Sequence, residues 1–265
     1  EDMAARMVDA KLSSVANRIR QWPDRLLHDD WPEALLREIA ELYLFARGFQ
    51  RLDQLPEALQ QTLRTTGGIS IKKEMVLKGK EWPDHWLIVG QREGSDERLA
   101  WRRTWLLGES SGRQALLLDF AWGNQPFESD WRVGTAIAGA LCFYPGARES
   151  RALVKHYEVS TEPYDAPTGS AHLDAFFDDY AQAIGANPWR YAFPAYLEAV
   201  IPTWEAEGLL LVDRRRKMVP ATTATEDHWR LIALSAGWPI RVFGEWDGRQ
   251  LTVLSAMAGD RLVRV

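Results

Sequence analysis

Apolar and polar residues alternate most regularly in two stretches, 98–107 and 113–122, which flank a polar loop bounded by glycines. This period of two predicts a β-hairpin, which we take as the centre of an antiparallel sheet. On the first strand Trp101, Arg103 and Trp105 are alternate residues and are predicted to share one face. The residues predicted to stand opposite them on the second strand are Leu116, Leu118 and Phe120.

Helical spacing dominates the chain before residue 69. Residues 2–22 carry apolar side chains at helical intervals up to Pro23. A second helix is predicted from Asp30 as N-cap, with Glu33 completing a capping box, to Gly48. A third begins at Pro56 and ends at Gly67 and Gly68. These segments predict an N-terminal helical unit over residues 1–68.

The middle of the chain returns to strand periodicity. It is weak over 69–77 and clear over 86–91, and two further strands are predicted at 134–144 and 151–157. Five consecutive strands without intervening helices predict a central antiparallel β-meander or partial barrel over residues 69–160.

The last third, residues 170–265, is predicted to mix helices and strands after a linker at 164–169. Helices are predicted at 173–184, 191–200 and 227–235, the last opened by a capping box from Thr223 to Glu226. Residues 209–219 predict a hairpin, and 238–265 predict a small three-strand β-meander. The fold class is therefore α+β, with domains 1–68, 69–160 and 170–265.

The net charge of −5 and the pI of about 5.6 do not favour broad binding to a phosphate backbone. No apolar run reaches the ~20 residues of a membrane span, so we expect a cytoplasmic protein. The lone Cys142 excludes an internal disulfide and is predicted to be a buried strand residue. Because Glu1 is not an initiator methionine, we expect a fragment of a longer polypeptide.

Motifs that carry chemistry are few. None of the five histidines lies three to five residues from another histidine or from Cys142, so no metal site is predicted. No nucleophile elbow or phosphate-binding loop occurs, and no catalytic residue is assigned. Asp119 has two interpretations, a buried acid with a raised pKa or a carboxylate on the wetter strand face with Leu117.

Two groups of residues suggest binding. The basic run Arg214, Arg215, Arg216 and Lys217 is predicted to contact phosphate groups or an acidic partner, or to form a solvated hairpin turn. The chain also has thirteen tryptophans, of which some are predicted to form an aromatic interface and most to lie in the core. The interface candidates are Trp101, Trp105, Trp122, Trp131 and Trp246.

Several short, separated segments of this sequence resemble the bacterial SWIM zinc finger family. They are residues 3–10 (MAARMVDA), 51–56 (RLDQLP), 86–92 (WLIVGQR), 103–106 (RTWL), 117–121 (LLDFA), 143–146 (FYPG) and 243–246 (FGEW). The chain resembles the region that follows the SWIM motif. That motif has the form Cys-x-Cys followed by Cys-x-His, so one cysteine cannot supply it, and zinc is expected only in the missing motif of a full-length protein.

The resemblance implies an accessory role beside a MoxR-type AAA+ ATPase and a von Willebrand factor A protein. The first hypothesis is therefore a non-enzymatic protein-interaction module. The alternatives are nucleic-acid binding through the basic run at 214–217, and an unrecognised hydrolase that uses Asp119 with a histidine such as His156.

Overall fold

The structure is a computed structural model. It describes residues 2–27, 31–96, 98–162, 164, 168–190, 192–206, 208–225 and 227–265. The chain divides into two units. One comprises Glu1–Val76, Tyr144–Glu149 and Ala183–Arg190, and the other comprises Leu77–Phe143, Ser150–Gln182 and Tyr191–Val265. The three-domain division drawn from the sequence stays a prediction.

The first unit is built from helices, as predicted. They are α1 Asp2–Asp9, α2 Ser13–Arg20, α3 Trp22–Arg25, α4 Trp31–Phe49, a 3-10 turn Leu52–Gln54, α5 Glu57–Gly67 and α6 Lys73–Leu77. The single helix expected over 2–22 is wrong, because Lys11 has a φ of +61° and separates α1 from α2. Gly68 ends α5 with a φ of +102°, which glycine adopts without strain. The predicted N-cap Asp30 lies outside the described residues.

The core of the first unit includes Trp189, which is distant in sequence from the helices that it contacts. Val15, Phe45 and Leu63 pack together with Trp189, whose ring meets that of Phe45 edge-on at 6.1 Å between centroids. The backbone carbonyl of Glu41 accepts a hydrogen bond from the Trp189 indole N–H at 3.4 Å. The helical unit therefore depends on a segment that follows residue 180.

The five strands of the central region form one antiparallel sheet. They are β1 Glu81–Asp96, β2 Leu99–Gly108, β3 Gln114–Trp122, β4 Ala136–Phe143 and β5 Ala152–Ser160, in the order β3-β2-β1-β4-β5. A parallel bridge from Leu116 to Arg151 brings the two outer strands together. Trp86, Ile88 and Leu141 fill the interior. This sheet is the predicted partial barrel, and we call it the first barrel.

The remaining strands form a sheet of six. They are β6 Phe193–Glu205, β7 Gly208–Asp213, β8 Met218–Thr223, β9 Ile240–Trp246, β10 Leu251–Ala258 and β11 Arg261–Arg264, in the order β11-β10-β8-β7-β6-β9. An additional β9–β10 pairing closes β6 to β10 into a ring, which we call the second barrel. The predicted three-strand meander is present as β9 to β11, but it is part of this larger sheet.

The two barrels repeat one topology. In each, three strands follow as a meander, the fourth pairs with the first, the fifth pairs with the fourth, and the third and fifth meet in parallel. The first strand of each is long and changes partner midway, with register shifts between Ile88 and Gly90 and between Leu197 and Val200. This strand order is that of the five-stranded Greek-key barrel called the OB-fold.

The two helices of this region flank the second barrel. Along α7 Leu173–Ala186, the predicted aromatic stripe places Phe177 and Tyr180 at 5.5 and 6.4 Å from the ring of Trp246. The other helix, α8 His228–Ser235, begins at Asp227, whose carboxylate accepts from the Arg230 N–H. The capping box predicted from Thr223 is therefore wrong, and Glu226 lies outside the described residues.

Two further expectations are wrong. Residues 69–77 contain the helix α6 instead of a strand, and 191–200 contain β6 instead of a helix. The stretch from Phe193 to Leu197 is buried on both faces, and a short apolar run of this kind has no periodicity that separates helix from strand. Pro194 lies in the half of β6 that pairs with β9, and Pro202 lies in the half that pairs with β7. Each proline therefore lies where β6 pairs with only one of these two strands, so its missing N–H does not interrupt hydrogen bonding on both sides of β6.

Candidate functional site: an aromatic face on the first barrel

The outer face of β2 and β3 is the most aromatic surface of the first barrel. Register places Trp101 opposite Phe120 and Leu99 opposite Trp122. The side chains of Phe120 and Trp122 are 55% and 60% exposed. We call Trp101, Phe120 and Trp122 the aromatic face. The predicted placement of Leu116, Leu118 and Phe120 opposite this face of β2 is confirmed, and the register pairs Trp105 with Leu116 and Arg103 with Leu118.

The same strand face is covered at its other end. Trp105 is only 1% exposed, and its ring lies 6.2 Å from that of Phe243 in the second barrel. Leu87 and Val89 of β1 pack into the same cluster as Tyr196. One continuous strand face therefore serves as the joint between the barrels at one end and as an exposed surface at the other.

A buried carboxylate lies between the joint and the aromatic face. Glu245 of β9 accepts hydrogen bonds from the Trp105 indole N–H at 2.8 Å, from Arg103 at 2.6 Å and from Arg92 at 3.3 Å. Burial lowers the pKa of the Arg103 guanidinium below its ordinary value, and the charge of Glu245 opposes that shift. Arg103 also lies 5.1 Å from the ring of Trp101, so Glu245 positions a cation beside the aromatic face.

The predicted interface tryptophans separate into two groups. Trp122 is exposed and Trp101 is half-buried, but Trp105, Trp131 and Trp246 are core residues. Trp131 packs inside the first barrel, where its carbonyl accepts from the Gln91 side chain at 3.1 Å. These three rings are buried, that of Trp105 against the second barrel, that of Trp131 inside the first barrel and that of Trp246 against the aromatic side chains of α7.

The basic run forms the β7–β8 turn, and its backbone is held by a buried carboxylate. Asp213 accepts from the N–H groups of Leu173, Arg215 and Lys217 at 2.8 to 2.9 Å. Burial opposes ionisation of Asp213, but these three donors outweigh it and hold its pKa below the usual range.

Half of the charge in this turn is already paired. Asp174 of α7 binds Lys217, and it accepts from Arg215 at 3.2 Å. The hydrogen bond from Lys217 lowers the pKa of Asp174. Arg214 and Arg216 are exposed. Arg214 and Arg216 are thus the two cations of this turn that Asp174 does not bind.

Asp119 is an ion-pair residue in this structure. It shares the strand face of Leu117, which lines the barrel interior, and its carboxylate binds Arg102 at 2.9 Å. His156 instead lies 3.9 Å from Glu81 on the exposed surface of β5. The structure does not bring Asp119 and His156 together, so the hydrolase hypothesis lacks the base that it named.

Sequence reasoning missed a polar cluster at the β2–β3 loop. Asp84 accepts from the N–H groups of Ser110 and Ser111, and His85 Nδ1 lies 2.7 Å from Glu109. Burial opposes ionisation of Asp84, yet its hydrogen bonds lower its pKa. Partners 24 or more positions apart leave no local signal in the sequence. Within the described residues, no group of three potential metal ligands occurs.

The long helix of the first unit exposes several apolar side chains on one side. On α4, Leu36 is 69% exposed and Tyr43 is 67% exposed, and Ile39 lies on the same side. The buried side carries Phe45 and Glu38. We call Leu36, Ile39 and Tyr43 the α4 face.

Comparison with known families bears on this helical unit. Residues 1–66 match the family described as the SWIM-associated four-helix bundle domain. The matched stretch covers α1 to α4 and all but the last residue of α5, and the match supports the SWIM-associated family suggested by the resemblance. Neither a curated protein nor a solved structure matches the chain. Among the described helices, none has both the length and the apolarity needed to cross a membrane.

Proposed function

We propose that the protein is a non-enzymatic accessory module of a SWIM zinc finger protein, and that its SWIM-associated domain docks a protein partner in the cytoplasm. The observation that carries the proposal is the α4 face, which lies within the stretch that matches the SWIM-associated family. Contiguous exposed apolar residues are characteristic of protein interaction sites.

The proposed partners are a MoxR-type AAA+ ATPase and a von Willebrand factor A protein, as the resemblance implies. Zinc is expected only in the SWIM motif of a full-length protein. The SWIM motif needs three cysteines, and the only one, Cys142, is fully buried on β4, where burial raises the pKa of its thiol.

The test is co-purification of the full-length protein with the ATPase and the von Willebrand factor A protein encoded beside it. Changing Leu36→Asp and Tyr43→Asp places two charges on the α4 face, and we expect at least about a tenfold loss of captured partner. Met75→Asp is the matched control, because Met75 is equally exposed on α6 of the same unit. If neither protein binds, or if the α4 variant binds like the control, the proposal is wrong.

A further inference from the structure

The strand order of the two barrels indicates where a ligand could bind. Barrels with this order bind oligonucleotides and oligosaccharides on the face formed by their second and third strands. In the first barrel those strands are β2 and β3, and their exposed outer end is the aromatic face. The topology and the exposure of the rings are independent observations that point to one surface.

The aromatic face has the geometry of a stacking platform. Phe120 and Trp122 are alternate residues on one strand, so their rings project in the same direction about 7 Å apart. The ring of Trp101 lies flat over β1, since a Cβ placed on Gly94 would come within 2.3 Å of it. Three aromatic surfaces thus stand side by side, and any nucleobase can stack on such a surface.

The charges around this face are suited to a phosphate backbone. Arg92 and Arg103 border it, and the buried Glu245 neutralises one of the two. Arg98, in the β1–β2 loop beside Trp122, is exposed and adds a second net positive charge. Asp96 lies opposite Leu99 at this edge and cancels one of these charges, and Glu97 lies outside the described residues. Within the described residues, the face therefore carries one net positive charge in a protein whose total is −5.

The corresponding face of the second barrel lacks these features. The outward residues of β8 are Met218, Pro220 and Thr222, none of which has an aromatic ring. Shared topology with different side chains provides an internal comparison, because the second and third strands of the second barrel, β7 and β8, carry no aromatic ring.

We propose that the aromatic face of the first barrel binds single-stranded nucleic acid, with bases stacked on Trp101, Phe120 and Trp122 and phosphates near Arg92 and Arg98. This function goes beyond the docking of a protein partner. It also differs from binding through the basic turn, because stacking supplies most of the affinity and few phosphates are contacted.

The test uses the full chain and a fluorescent oligothymidylate of about 12 nucleotides, a length within the site size of such barrels. We expect the double change Phe120→Ala and Trp122→Ala to weaken binding by about thirtyfold or more, since each stacked base contributes roughly 1–3 kcal/mol. Met218→Ala on the second barrel is the matched control and should leave binding unchanged. With two phosphates contacted, by Arg92 and Arg98, the slope of log K against log salt should be about −1.4.

Three outcomes would overturn the proposal: no binding of the oligonucleotide, equal loss in the ring variant and in Met218→Ala, or loss only when Arg214 and Arg216 become alanine. The last outcome would assign the nucleic acid to the basic turn. If the ring variant instead loses a protein partner while the oligonucleotide never binds, the face is a protein surface. Failure here leaves the α4 test unaffected, because the two experiments change different surfaces and measure different ligands.

Discussion

The first and second barrels share a strand order but close in different ways. In the first, β3 and β5 meet at the single Leu116–Arg151 bridge, and the segment 123–135 places Trp131 in the interior. In the second, β8 and β10 pair over three positions, and α8 contributes the fully buried Leu231. The segment between the third and fourth strands thus differs while the strand order is kept. The comparison teaches that the topology sets where the strands lie, whereas the closing residues and connections determine which side chains reach the surface.

The first prediction concerns the two ends of the β2–β3 face, which distinguish the first barrel from the second. Trp105→Ala removes a buried ring from the joint and should lower the free energy of unfolding by about 3–5 kcal/mol. Trp122→Ala removes an exposed ring and should change it by no more than about 0.5 kcal/mol. Urea denaturation of both variants measures the difference. Similar losses would show that the division of this face into a joint and a free surface is wrong.

The second prediction concerns how much the buried Glu245, which joins the two barrels, contributes to the free energy of unfolding. Glu245→Ala leaves Arg103 and the Trp105 indole without their shared acceptor, and we expect a loss of about 3 kcal/mol. Arg92 and Arg103 retain some contact with water, which limits the cost.

The control for this variant is Glu158→Ala, since Glu158 is exposed on β5. It should change stability by less than about 0.5 kcal/mol. A Glu245 variant as stable as this control would mean that the contacts of Glu245 do not help to hold the barrels together.

The third prediction compares the turns after the second strand of each barrel, both of which are held by a carboxylate. At neutral pH, Asp213→Ala should cost about 2 kcal/mol and Asp84→Ala about 1 kcal/mol, because Asp213 is the more deeply buried acceptor. The pKa of each carboxyl is lowered in the folded protein. Their stabilisation is therefore complete above the ordinary pKa of about 3.9 and disappears as the pH falls through the lower folded value.

Denaturation from pH 7 to pH 2 measures this dependence. The deficit of each variant relative to the unchanged protein should shrink below about pH 4. Asp178→Ala, at an exposed position on α7, is the control and should show no such narrowing. A deficit that stays constant into acid would mean that these carboxylates act through packing and not through charge.

The sequence predicted the local architecture of the first barrel well. Alternation alone gave the strand face that Trp101, Arg103 and Trp105 share and the residues of the next strand on that face, because side chains alternate across a strand. It also gave the α+β class and the helical character of the first unit. In these regions local periodicity and tertiary packing agree.

The same reasoning failed where contacts between residues distant in sequence determine the secondary structure or the partners of a side chain. The segment around Phe193 became a strand because β9 and β7 were available to pair with it, and no local pattern reveals those partners. Glu245 read as an ordinary charged residue of a C-terminal strand, yet it accepts from side chains more than 130 positions away. The repeated topology was hidden for a similar reason, since the two barrels share pairing order but no visible sequence period.

Because β3 and β5 are joined only by a single bridge, the first barrel is open between these two strands along the rest of their length. Beyond Ala152, β5 turns its residues from 155 to 159 towards solvent, and a bare strand edge is a template on which another chain can add a strand. Lys155 and Glu158 lie on that stretch, and Lys155 is tied to Glu81 by an ion pair. In the second barrel, hydrogen bonds between β8 and β10 close the ring. In the first barrel, charged side chains lie along the open edge of β5 instead. Neutralising those side chains would therefore favour self-association before it lowered the stability of the fold.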